Sequence, residues 1–102
     1  MLERLTSETF RDRVGQTFHL DGGDGSRREI VLAEVTEHRL GGQARPDGRV
    51  PFSLEFFAAD GPVLPQRIYD LQHPDLGSLG LFLVPIGPDP ERGGIRYEAV
   101  FT

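Results

Sequence analysis

The sequence predicts an all-β domain, a six-stranded antiparallel barrel or sandwich with one short N-terminal helix, and three observations carry that expectation. From residue 16 onward the apolar residues recur mostly with a period of two, the pattern of strands that bury one face. Clusters rich in Gly, Pro and Asp interrupt that alternation at short intervals, as the turns of an all-β fold do. The 102 residues suffice for one core, because a chain of this size buries roughly two-thirds of its unfolded surface on folding. Residues 1–102 are read as a single β domain.

The helix is expected over residues 6–14. Thr6 stands at the N-cap, Glu8 falls in the first turn, Leu5 and Phe10 are spaced as a hydrophobic staple, and Gly15 follows as the stop. Leu2, Leu5, Phe10 and Val14 share roughly one face, enough to dock the helix onto a core. Strands follow from Gln16 to Leu20 and from Arg28 to Glu37, the second with apolar residues on both sides (Ile30 and Leu32 against Val31, Ala33 and Val35), as in a central strand or one crossing a barrel corner. Residues 38–51 include GGQARPDGRVP, a long loop of the kind that is often functional. Phe52 to Ala58 alternates, with Phe52, Leu54, Phe56 and Ala58 inward and Phe57 left on the outer face.

After the Asp60-Gly61-Pro62 turn, Gln66 to Gln72 is a strand with Tyr69 and Leu71 opposite Ile68. His73 to Gly80 is expected to fold back as a turn, because Pro74 restricts His73 and Asp75, Gly77 and Gly80 supply turn chemistry. Leu81 to Ile86 is the densest apolar run, read as a buried strand too short to span a membrane and ending at Pro85, which lacks a ladder donor and so marks an edge or a strand end. Gly87 to Gly94 makes a hairpin connection to Ile95–Phe101, whose Ile95, Tyr97, Ala99 and Phe101 share a face.

Composition narrows the function. A formal charge of −5 argues against a nucleic-acid partner, since such domains carry a basic face. With no Cys, disulfides, thiolate nucleophiles and cysteine-ligated metal clusters are excluded. The N-terminus MLERLTSETF has no apolar core of a signal peptide, so a cytoplasmic, non-membrane protein is expected. All eleven basic residues are Arg, and Lys and Asn are absent, a bias that suggests a GC-rich bacterial genome.

No catalytic motif is present: HExxH, GxSxG and the P-loop are all missing. The one pair worth testing is His73 with Asp75, a turn that can bring imidazole and carboxylate together; the alternative is that the same contacts only pin the turn. With Arg67 to hold an anion, the pair could serve a ligand-binding barrel or small enzyme. Asp21 and Asp24 lack the spacing of a calcium loop, so no metal site is expected. Arg45 to Arg49 fits the RxxxR element of PilZ-type cyclic-dinucleotide domains, but Arg92 to Arg96 fits it equally, and the second PilZ element is broken because Ser78 stands three positions after Asp75. No cofactor is therefore expected. Phe57 and the excess apolar strand surface point instead to a protein partner or to self-association.

The order of segments, above all HPDLG at His73–Gly77, LFLVPIG at Leu81–Gly87 and YEAVF at Tyr97–Phe101, resembles a family of small uncharacterised bacterial proteins known as a domain of unknown function. The resemblance covers nearly the whole chain and implies an accessory or structural role beside phage-tail-like proteins, without assigning catalytic residues. The leading expectation is a non-enzymatic interaction or assembly module, with Phe57 and the His73–Gly80 turn as its contact surface.

Overall fold

A computed structural model describes residues 5–21, 27–38, 50–59 and 62–101. The elements run α1 (Ser7–Arg11), β1 (Thr17–Asp21), β2 (Arg27–Glu37), β3 (Phe52–Ala58), β4 (Arg67–His73), β5 (Gly77–Pro88) and β6 (Ile95–Phe101). The strands form a closed antiparallel barrel in the order β1-β2-β3-β6-β5-β4, which decides between the two expected architectures. Closure pairs His19 with Gln72 across β1 and β4, so each of the six described strands has a paired neighbour on both sides. Three expected turn features, around Asp24, Arg45–Arg49 and Asp60–Gly61, lie outside the described residues.

Inward-facing residues fill the barrel. Phe18 and Leu20 of β1, Ile30 and Leu32 of β2, Leu54 and Phe56 of β3, Leu71 of β4 and Leu83 of β5 are all fully buried, as small barrels require when side chains fill their interior. Phe10 of α1 closes one end, its ring 6.0 Å from Phe52 and 5.7 Å from Phe101, which themselves stack at 4.5 Å. At the opposite end the segment before β4 is tied down by two tyrosines. The Leu64 N–H donates to the Tyr97 hydroxyl at 2.9 Å, and the Tyr69 hydroxyl donates to the Pro65 carbonyl at 2.6 Å. Both hydroxyls are thereby satisfied where the barrel opens, as buried tyrosines demand.

The helix is shorter than its sequence pattern. The Thr6 N–H donates to Thr9 Oγ1 at 3.1 Å, so the start is capped near its expected place, but α1 ends at Arg11. Gly15, at φ +92°, donates its N–H to the Leu32 carbonyl at 2.7 Å, and the Leu32 N–H donates to the Gln16 carbonyl at 3.1 Å. Pairing with β2 thus draws the chain off the helix axis, leaving Val14 47% exposed rather than on the core.

Two bulges break the two-residue alternation of β2 and β5. In β2 the register slips between Leu32 and Glu34, so Ala33 is the extra residue and the inward face passes from Ile30 and Leu32 to Val35. Such a bulge bends a strand around a barrel corner. In β5 the register slips between Pro85 and Gly87, making Ile86 the extra residue, 45% exposed. Pro85 pairs with Tyr97 inside this closed sheet and does not end the strand or mark an edge, because a bulge tolerates the missing N–H. β5 also begins at Gly77 rather than Leu81, with Gly80 paired to Asp70 in mid-ladder. The Leu81–Ile86 run alternates instead of being buried throughout: Leu81 and Leu83 face in while Phe82 is 50% exposed.

Candidate functional site

The four sequence-predicted residues fall in three places. His73 is the last inward residue of β4, 6% exposed, with its ring 4.7 Å from that of Phe18. Its Nδ1 accepts the Asp75 backbone N–H at 3.1 Å, so in the neutral ring the proton sits on Nε2, 2.7 Å from Gln16 Oε1. Asp75 therefore engages His73 through its backbone and not its carboxylate, which is exposed and lies 4.0 Å from Arg13. Both imidazole nitrogens are thus engaged, Nδ1 pinning the Pro74–Leu76 turn and Nε2 tying the end of β4 to Gln16 at the entry to β1. Arg67 stands at the far end of β4 with its guanidinium 4.9 Å over the Tyr69 ring. Six residue steps along β4 separate it from His73, about 20 Å, so the two do not converge on one ligand.

Phe57 faces outward as the alternation requires, but it is half-buried: the Arg92 guanidinium lies 5.0 Å over its ring. It is a covered residue, not an open patch. Beside the His73 turn lies a shallow open cleft of about 340 Å³, lined by His19, Arg27, Gln72, His73 and Ser78 among others. Its cation is engaged, since Arg27 donates to Gln72 Oε1 at 3.3 Å, and His19 lies 3.6 Å from the Glu29 carboxylate. A second His contact, His38 Nε2 to Ser53 Oγ at 2.8 Å, has the outline of a base and a nucleophile. Ser53, however, is only 4% exposed and lies within the β2-β3-β6 ladder.

Among the described residues, large exposed apolar side chains lie elsewhere. Ile68 of β4 is 69% exposed and pairs directly with Phe82 of β5, 50% exposed. In the next strand Val84 pairs with Glu98, where the β5–β6 ladder ends, and Val100, two residues further along β6, is 58% exposed. Ile68 and Phe82 thus form a short apolar row across the outer faces of β4 and β5. Next to it Gly80 faces out between Ile68 and Asp70, and a Cβ there would meet Ile68 Cγ2 at an ordinary 3.7 Å. The fold leaves room for a side chain that the sequence omits.

Carboxylates flank the row. Asp70 is exposed one pleat along β4 from Ile68, and it pairs with Asp21 of β1. Glu98 pairs with Glu55, which pairs in turn with Glu34, although like charges directly opposite one another on a sheet are unfavourable. Arg96 relieves part of this, its Nη1 2.7 Å from Glu55 Oε1. The same guanidinium donates through Nε to Asp89 Oδ2 at 2.9 Å, so its charge is shared between Glu55 of β3 and the β5–β6 hairpin.

Asp89 organises that hairpin. Its side chain is 1% exposed, and its Oδ1 accepts the backbone N–H groups of Glu91 and Arg92, each at 2.9 Å. The Arg92 N–H, the Arg96 side chain and the Glu91 N–H, in that order, pull its carboxyl down to about 2, and Arg96 is raised in return, first by Asp89 and then by Glu55. The folded state therefore holds Asp89 ionised where the unfolded chain, at about 3.9, takes up a proton. Its stabilising contribution is complete above the unfolded value and is lost as pH falls from about 4 to about 2. Asp89→Asn is expected to lower the melting temperature at pH 7 and to flatten the decline in stability across that window, measured by thermal melts from pH 7 to pH 2. An unchanged acid decline would assign it to other carboxylates.

Among the described residues no group of three or more His, Asp or Glu is placed to hold a metal, and no helix is long and apolar enough to cross a membrane. Neither curated proteins nor solved structures give a match. A family model described as a domain of unknown function, DUF6916, matches residues 5–101, which span the barrel from Leu5 beside its capping helix to the last residue of β6. The chain belongs to that family.

Proposed function

We propose that this protein is a non-enzymatic interaction module that binds a protein through the outer face of β4, β5 and β6. The observation that carries the reading is the row of Ile68 and Phe82, exposed by 69 and 50% and directly paired on adjacent strands of a barrel whose core is already full, with Val100, 58% exposed, two residues beyond Glu98 on β6. Single exposed apolar residues are ordinary, but a contiguous patch on a sheet face marks an interface. The resemblance to proteins that accompany phage-tail-like assemblies supports an accessory role in such a structure. The His73 turn contributes as a rigid border, with its imidazole held by Gln16 and the Asp75 backbone.

Phe82→Asp tests this. A surface substitution of this kind changes stability by roughly 0.5 kcal/mol or less, so the variant is expected to melt within a few degrees of the wild type. Crosslinking in the producing cell is expected to give adducts that the variant loses, and light scattering behind size exclusion reports whether any adduct is a second copy. Identical adduct patterns for the two proteins, or no adducts together with a strict monomer, would overturn the reading.

A further inference from the structure

We propose that the partner of the β4–β5–β6 face is a basic, apolar protein segment: it presents apolar side chains to Ile68 and Phe82 and Lys or Arg to Asp70 and Glu98, and it approaches closely over Gly80. The inference rests on the interaction reading above and names the partner's chemistry. Two independent observations carry it. First, the border of the apolar row is acidic. Asp70 lies beside Ile68 and across from Asp21, and Glu98 lies between Val84 and Glu55. The nearest guanidinium on β6, that of Arg96, is already held by Asp89 and Glu55, and that of Arg67 is turned over Tyr69. A second copy of a chain with net charge −5 would set these carboxylates against carboxylates, whereas a basic partner relieves the repulsion already present between Glu98 and Glu55.

Second, Gly80 is not required by the fold. Its φ is not positive, unlike that of Gly77 or Gly87, and a Cβ would meet nothing closer than Ile68 Cγ2 at 3.7 Å. A glycine inside a strand weakens it, and where the backbone does not demand one it marks a place where another group comes close. The missing side chain leaves a shallow dent bounded by Ile68 and Asp70, where a partner's apolar group can reach the sheet while its cation meets the carboxylate.

The test uses the full chain and two labelled amphipathic peptides with one apolar pattern, the first built from Leu and Lys and the second from Leu and Glu. Fluorescence anisotropy at about 0.15 M salt is expected to show the Leu/Lys peptide binding about tenfold more tightly, which is about 1.4 kcal/mol shared between two surface ion pairs. Phe82→Asp is expected to abolish that binding, and Asp70→Asn with Glu98→Gln to remove the preference between peptides. Gly80→Thr is expected to weaken binding severalfold while the melting temperature holds or rises.

Equal binding of both peptides through Phe82 would overturn the proposed charge and leave the interaction reading standing. A preference that survives Asp70→Asn with Glu98→Gln would report the overall charge of the chain instead of this face, and would overturn the proposal. A dimer dispersed by Phe82→Asp would name a second copy as the occupant. Gly80→Thr binding as tightly as the wild type would overturn the close approach. Failure of both peptides to bind a monomeric protein would remove the interaction reading itself.

Discussion

Phe18→Ala is expected to cost about 3 to 5 kcal/mol of folding free energy, the range for truncating a buried phenylalanine and a large part of the roughly 5 to 15 kcal/mol that a domain holds in total. Phe18 is fully buried, packs edge-on against Phe56 at 5.3 Å and lies 4.7 Å from the His73 ring. It is also one of two core residues on β1, the five-residue strand that closes the barrel by pairing with both β2 and β4. Collapse around the vacancy would have to move strands held on both sides by ladders, so the cavity stays open and the cost sits high in its range. Urea unfolding at pH 7 measures it as a lower midpoint at unchanged slope. A loss below about 1 kcal/mol would mean that the interior is loosely packed, contrary to the ring contacts described.

Much of this barrel is legible from residue order. β3 and β6 occupy Phe52–Ala58 and Ile95–Phe101, the spans that alternation marks, because both lie in mid-sheet with one buried face and no register slip between them. What alternation cannot carry is the pairing of distant strands. β1 meets β4 some fifty residues later, and no local pattern distinguishes that closure from a sandwich. Bulges hide in the same way. The extra residues Ala33 and Ile86 each shift the phase of the pattern within one strand, so β2 looks apolar on both faces and β5 looks buried throughout. The helix pattern overruns α1 for a related reason: its stop depends on Leu32, a residue in another element.

The candidate face shows the limits more sharply. Ile68 stands opposite Tyr69 in the strand pattern and its exposure follows from that alone. Phe82 was masked by Leu81, Leu83 and Val84 on either side; the signal that could have found it is the alternation of buried Leu79, Leu81 and Leu83 continued through Gly80. Phe57, by contrast, was readable as outward-facing but not as covered. Its cover comes from Arg92 in the hairpin beyond β5, and the shape of that hairpin follows from Asp89 gathering two backbone N–H groups and a guanidinium. His73 and Asp75 are adjacent as expected, yet it is the backbone N–H of Asp75, a group no sequence motif advertises, that meets the ring.

Gly94→Val is the other substitution expected to be severe, because two penalties fall on one atom. Gly94 sits at φ +72°, where a left-handed conformation costs an L-residue roughly 1 to 2 kcal/mol and a β-branched one is a true outlier. A Cβ there would also run into the Ala58 carbonyl oxygen and press on the Phe57 ring at 3.0 Å. The neighbouring atom is backbone at the end of β3, paired with Ile95 of β6, so relief requires the β3–β6 ladder to open at that end. Opening it would also shift the Gly94 carbonyl away from the Asp89 N–H, a bond of 3.1 Å, and loosen the loop that holds Arg92 over Phe57. The expected result is a loss of about 3 kcal/mol or more, the sum of backbone strain and overpacking, read by urea unfolding. Amide exchange is expected to rise first at Ala58 and Ile95. Gly93→Val serves as the control, since Gly93 shares a positive φ of +73° but has nothing within 4 Å of its Cβ position, so it carries the strain alone. If the two variants lose equal stability, the close approach over β3 contributes nothing and the hairpin is positioned by Asp89 alone.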